Sequence, residues 1–168
     1  MKKTILSLLA LMATSVAVKA QYQPDVPPFA QDKIYMSASF SGFDLGYNGT
    51  EKLHLNLEAK GGYFFLQNFM ALANVGYGYY KEAPDYLKVG AGLRYYIEEN
   101  GIYLGVSGNY VHANHDYDDF MPQVNLGYAF FLNRTVTIEP EVYYNQSFKN
   151  HSDYSGLGFR IGFGIYFE

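Results

Sequence analysis

Read in steps of two, this sequence keeps returning to one two-faced pattern. In its last stretch, SGLGFRIGFGIYFE, every second residue from Leu157 onward is large and apolar: Leu157, Phe159, Ile161, Phe163, Ile165 and Phe167. Between them lie Gly158, Arg160, Gly162, Gly164 and Tyr166. Successive side chains of a strand point to opposite sides of a sheet, so such alternation specifies a β-strand with two unlike faces. The same pattern recurs near residues 33–42, 53–65, 69–80, 86–97, 102–111, 121–131, 136–145 and 156–167, which predicts about eight strands. Almost no segment has a helical period. A composition of 18 Tyr, 13 Phe and 17 Gly without Trp suits a sheet-rich protein.

The connections carry a second regularity. Those after the second, fourth and sixth strands are tight (LQN, EENG, LNR), whereas the loops near 43–52, 81–85, 112–119 and 146–155 are longer and more polar. Short turns at one end and long loops at the other are typical of transmembrane β-barrels. One face is apolar: Leu53, Leu55, Leu57 and Ala59, then Leu87, Val89, Ala91 and Leu93, then Val136, Ile138 and Val142, then the Leu157 to Phe167 series. The other is polar or glycine: His54, Asn56, Glu58 and Lys60, then Lys88, Gly90, Gly92 and Arg94, then Thr137, Glu139 and Glu141, then Gly158 to Gly164. A soluble, lipocalin-like barrel would turn the apolar face inward. Glycine packs nothing on a solvent face but gives room inside a narrow barrel, which argues for the reverse. Aromatic residues at strand ends (Tyr77, Tyr79 and Tyr80; Tyr95 and Tyr96; Phe130 and Phe131; Tyr143 and Tyr144; Tyr166 and Phe167) are expected to form two interfacial girdles. Pro140 fits badly, because a closed ring has no free edge for a missing N–H, so a bulge or local irregularity is expected there.

The chain opens MKKTILSLLALMATSVAVKA: two lysines, a short apolar core and a small-residue cleavage site, the layout of a secretory signal peptide cleaved after Ala20. The expected organisation is a signal peptide over 1–20, a Pro-rich lead-in over 21–32 and one barrel domain over 33–168. Losing Lys2, Lys3 and Lys19 makes the mature chain more acidic than the formal −4 of the whole sequence, a poor match to nucleic acid. With no Cys there are no disulfides, no thiolate metal site and no lipid-modified N-terminal Cys.

The segments KIYMSASFSG, LEAKGGYFFLQNFMALANVGYGY and GLGFRIGFGIYF resemble the small eight-stranded outer-membrane β-barrel proteins of Gram-negative bacteria, the group of the OmpA transmembrane domain and OmpX. The resemblance runs from about Lys33 to Glu168. It implies an all-β, single closed eight-stranded antiparallel up-and-down transmembrane barrel, in the outer membrane, with both mature termini periplasmic. It also implies a monomer in contact with outer-membrane lipids and lipopolysaccharide, inserted by the outer-membrane assembly machinery. Members of the group usually end on an aromatic residue that resembles an assembly signal; here Phe167 is followed by Glu168.

The inward face would hold Glu58, Lys60, Lys88, Arg94, Glu139, Glu141 and Arg160. An eight-stranded interior is just filled by side chains, and charges there must pair to offset desolvation, so a structural ion network is the expected role rather than catalysis. If the last hairpin turns near Asn150, Glu141 faces Arg160. No catalytic residue, cofactor or metal site is assigned. His112, His115, Asp116, Asp118 and Asp119 crowd one loop, but without the Gly and Glu spacing of an EF-hand. The Asn-x-Ser/Thr matches at Asn48, Asn133, Asn145 and Asn150 matter only in a glycosylating pathway. The leading function is a structural or surface-interaction role, with host or other extracellular ligands met by the long loops. The alternatives are a narrow porin-like channel and a lipid-modifying enzyme, the latter requiring Ser, His and an acid on the outer wall; His54, His112, His115 and His151 are its candidate histidines.

Overall fold

The computed structural model describes residues 27–46, 51–79, 86–97, 100–113, 117–149 and 155–167. The expected signal peptide, the first part of the lead-in, His115, Asp116 and His151 lie outside the described residues. The described residues form nine strands: β1 (Ile34–Gly46), β2 (Glu51–Leu66), β3 (Phe69–Tyr79), β4 (Tyr86–Tyr96), β5 (Ile102–Ala113), β6 (Tyr117–Tyr128), β7 (Phe130–Phe131), β8 (Val136–Asn145) and β9 (Gly156–Phe167). Every pairing is antiparallel. β1 to β6 pair in sequence order, β8 pairs with β9, β1 pairs with β9, and β6 pairs with β8, so eight strands close into a ring while the short β7 pairs with β8. The fold is the expected single up-and-down barrel, without a helix among the described residues.

Closure is staggered. Following Cα partners from Tyr35 through Gly62, Leu72, Gly92, Ser107, Gln123, Asn145 and Gly156 leads back to β1 at Gly46, not at Tyr35. Strands related in this way must tilt steeply against the barrel axis. A register shift between Ser41 and Phe43, seen against both β2 and β9, bends β1 towards its long-loop end. Two strands run further towards the long loops than the alternation indicates: β1 extends to Gly46 where 42 was expected, and β6 begins at Tyr117 where 121 was expected. Backbone pairing persists in these hairpins after the apolar alternation has ended.

The turns follow local chemistry. Asn68 has φ 64 in the β2–β3 turn, a left-handed conformation that Asn tolerates. Asn133 Oδ1 accepts bonds from the Thr135 and Val136 N–H groups at 2.9 and 2.8 Å, folding the chain into β8. Pro140 is aligned with Ile161 of β9 without a register shift. On its other side the ladder breaks. β6 pairs as far as Gly127 with Glu141, and pairing resumes only at Phe130 with Ile138, which is why β7 is separate. The N–H of Ala129, inside that gap, donates to the Gly101 carbonyl at 2.8 Å instead.

Parity decides the faces. Exposed apolar side chains form the outer wall, among them Met36, Leu57, Val75, Val89, Leu93, Val106, Val124, Leu126, Leu157 and Phe163. A wall of this kind matches hydrocarbon, and a closed ring is one of the few backbones that lipid accepts. Tyr63, Phe69, Tyr95, Phe130 and Phe167 ring its short-turn end, and Tyr77, Tyr110 and Phe120 its long-loop end. Tyr96, Tyr143 and Tyr166, expected in the girdles, are buried inside. Each shares the parity of an inward charge on its own strand or lies beside one, so it belongs to the lumen.

Glycines on the inward face make room for their neighbours. A Cβ on Gly92 would meet the Val106 carbonyl oxygen at 2.4 Å, whereas one on Gly61, on the outer wall, meets nothing within 4 Å. Gly92→Ala is expected to lose about 1–3 kcal/mol of unfolding free energy, as overpacked sites do, with Gly61→Ala close to wild type. Urea midpoints of the two variants refolded in detergent check this.

Candidate functional site

The inward side chains form layers along the barrel axis. At the short-turn end, Phe29 from the lead-in folds under the ring, 5% exposed, and stacks on Tyr96 with ring centroids 4.0 Å apart. Phe64, Phe131 and Tyr166 surround it at 6.3, 5.8 and 5.9 Å. Backbone bonds hold the segment in place: Asn68 N–H to the Phe29 carbonyl at 2.9 Å, and Asp32 N–H to the Phe64 carbonyl at 2.8 Å. Composition alone marks this stretch as a Pro-rich lead-in; the large apolar Phe29 directly after Pro27 and Pro28 is the available sign that it docks.

The charged layer lies directly above. Arg94, 1% exposed, donates to Glu139 at 3.1 Å and to Glu141 at 3.4 Å. It also donates to the Tyr96 and Tyr35 hydroxyls at 3.0 and 3.3 Å, and its guanidinium carbon sits 4.0 Å from the centre of the Tyr103 ring. Glu139 accepts from Tyr35 at 2.6 Å, from Tyr166 at 2.9 Å and from Thr137 at 2.9 Å. Glu141 is the hub: Arg160 pairs with it, Asn125 and Tyr103 donate to it at 2.8 and 3.0 Å, and Lys60 lies 3.6 Å away. Arg160 also reaches Glu58 at 2.8 Å, Lys60 lies 3.3 Å from Glu58, and Lys88 pairs with Glu58. Glu141 and Arg160 are direct Cα partners on β8 and β9. All seven residues singled out by the alternation thus occupy one contiguous set of ion pairs.

Towards the long loops the lining turns to amides. Asn74 donates to Asn109 at 3.0 Å, and Asn109 donates to Gln123 at 3.3 Å. A cavity of about 20 Å³ remains between the charged and amide layers, room for one water-sized occupant. The carboxylates are each held by several donors beside this small space, an arrangement that suits a structural role. What the arrangement can do is lock strands of both halves together and block passage.

Outside the lumen, His112 and Asp118 stand on the outer face at the long-loop rim. Asp118 Oδ1 lies 2.6 Å from His112 Nδ1 and accepts the Tyr110 hydroxyl at 2.6 Å. Asp119, one residue on, points inward, where it accepts from Ser147 and from the Lys149 N–H. The crowded loop is therefore split between two faces by the strand that runs through it. Among the described residues no group of three or more His, Asp or Glu side chains has metal-binding geometry.

No protein-family profile and no curated protein matches this sequence. Solved structures do share its architecture. Neisserial surface protein A superposes with a TM-score of 0.56 at 14% identity, covering 80% of this chain and 94% of that one. The N-terminal β-barrel domain of Pseudomonas aeruginosa OprF gives 0.58 at 14% identity over 82% and 98%. Outer membrane protein OprG of the same organism gives 0.53 at 14% over 83% and 97%. This chain has the fold of the small eight-stranded outer-membrane barrels.

Glu141 offers the sharpest test of the lumen. Removing one partner from a buried ion network leaves the others uncompensated, at a cost of about 3–5 kcal/mol. Glu141→Gln should lower the unfolding free energy by that order, and Glu141→Gln with Arg160→Gln should lose much less than the two singles added. A double-mutant cycle from urea titrations reads the coupling directly.

Proposed function

We propose that this chain is an integral outer-membrane barrel whose activity lies in surface interaction at its long-loop end, with a structural role for its interior. The observation that carries this reading is the filled lumen. Phe29 and its aromatic neighbours close one end, and the ion pairs of Glu58, Lys60, Lys88, Arg94, Glu139, Glu141 and Arg160 cross the middle. A filled lumen argues against flow through the barrel and supports the lipid wall and the loops as the working surfaces. In this reading the short turns and both mature termini lie in the periplasm after removal of residues 1–20. The loops meet lipopolysaccharide and extracellular or host ligands, and the barrel works as a monomer delivered by the outer-membrane assembly machinery. Support comes from the apolar wall with its aromatic rings and from the likeness in fold to outer-membrane barrels, one of them described as a surface protein.

The test is to shorten the loops within 47–50, 81–85, 114–116 and 150–154 and measure binding of whole cells to host cells or matrix. Adhesion should fall to background while the unboiled protein keeps the altered gel mobility of a folded barrel. Unchanged adhesion would overturn the reading. In planar bilayers the wild-type protein should show no discrete conductance steps, and steady unitary steps from folded protein would restore the channel.

A second reading rests on the His112–Asp118 pair, a His–acid couple on the outer wall where a membrane-surface hydrolase would need one. It predicts a changed lipid profile on overexpression that His112→Ala abolishes.

A further inference from the structure

Among the described side chains, the middle of the lumen holds more cations than carboxylates. Arg94, Arg160, Lys60 and Lys88 face Glu58, Glu139 and Glu141. Asp119 is also buried, but it stands at the long-loop end, bonded by Ser147 and the Lys149 N–H. Two donors beside this layer lack an acceptor: Arg94 Nε and Gln123 Nε2, both buried. Their residues are otherwise engaged. The terminal nitrogens of Arg94 serve Glu139, Glu141 and two tyrosines, and Gln123 Oε1 accepts from Asn109 at 3.3 Å and from Ser107 at 3.5 Å. Arg94 and Gln123 line the same cavity of about 20 Å³, and Lys60 and Arg160 also contribute to its wall. The carboxylate there, Glu58, is already neutralised by Arg160, Lys60 and Lys88.

A buried N–H without an acceptor is costly, and two beside one small cavity call for a common acceptor. The space admits one water-sized particle. Excess positive charge in a medium of low dielectric favours an anion over a neutral water. We propose that this cavity binds a single monatomic anion of the halide class, accepting from Arg94 Nε and Gln123 Nε2 and balancing the one positive charge by which the four cations of the layer exceed its three carboxylates. The anion is a structural component of the lumen block, and its binding is independent of what the loops contact.

The purified protein, refolded in sodium bromide and crystallised, tests this by anomalous diffraction at the bromine edge. A bromide peak inside the cavity, in contact with both nitrogens, is the expected result. In Gln123→Leu, confirmed as folded by its heat-dependent gel mobility, the peak should weaken several-fold. In solution the wild-type urea midpoint should be higher in chloride than in gluconate at equal ionic strength, and that difference should vanish in Gln123→Leu. Density without anomalous signal would identify a water and overturn the proposal, as would equal midpoints in the two salts or a peak that Gln123→Leu leaves undiminished.

Discussion

The pairing of β6 with β8 is the contact on which the rest of the molecule depends. With it, each of the eight strands in the ring has two hydrogen-bonded neighbours and the ring has no open edge, the two-residue β7 lying beside β8 as an addition to it. A backbone satisfied within itself is what hydrocarbon demands, since a lone N–H or carbonyl there costs several kcal/mol. Closure also removes any choice of where side chains go. Odd and even positions fall to opposite faces, the outer face must be apolar across the middle of the wall, and the charges of the central strand segments are driven into a lumen eight strands wide, while Asp118 sits outside at the long-loop rim. The stagger of the ring and the glycines facing bulky neighbours are the means by which that narrow space is filled.

Filling such a space with charge rather than hydrocarbon needs a reason, because an apolar core of similar volume is often no less stable than a buried ion network. Here both faces of an apolar strand would look alike, and a slip of one residue would pass without penalty. With Arg94, Glu141 and Arg160 inward, the same slip would push buried charges into lipid. The network therefore fixes register and face as well as joining β2, β4, β8 and β9. The tyrosines around Arg94 extend this logic, offering a hydroxyl to the ions and a ring to the apolar plug below.

Much of this was legible in the alternation, for a physical reason: a period of two maps each residue to a face without knowledge of its neighbours. Strand number, ring topology and the inward placement of all seven charged residues follow from it. The girdles are less legible, because adjacent aromatics such as Tyr95 and Tyr96 look like a pair in sequence although the pleat separates them, Tyr95 outward and Tyr96 inward. The ends of β1 and β6 were missed because backbone pairing continues where the side-chain pattern stops. Phe29 was missed because docking of a segment without regular structure leaves no period to read. The break opposite Pro140 was foreseeable from its missing N–H alone, but its resolution, a short separate β7 and a bond from Ala129 to Gly101, depended on tertiary geometry.

The pocket that receives Phe29 is built from distant parts of the chain: Phe64 of β2, Tyr96 of β4, Phe131 of β7 and Tyr166 of β9. No half of the sheet contains it, so it comes into being only when the first and last strands have met. The segment ahead of β1 is thus read by the finished ring and by nothing earlier on the folding route. Its docking is a latch, closed last, that distinguishes a complete barrel from a sheet still open at its seam.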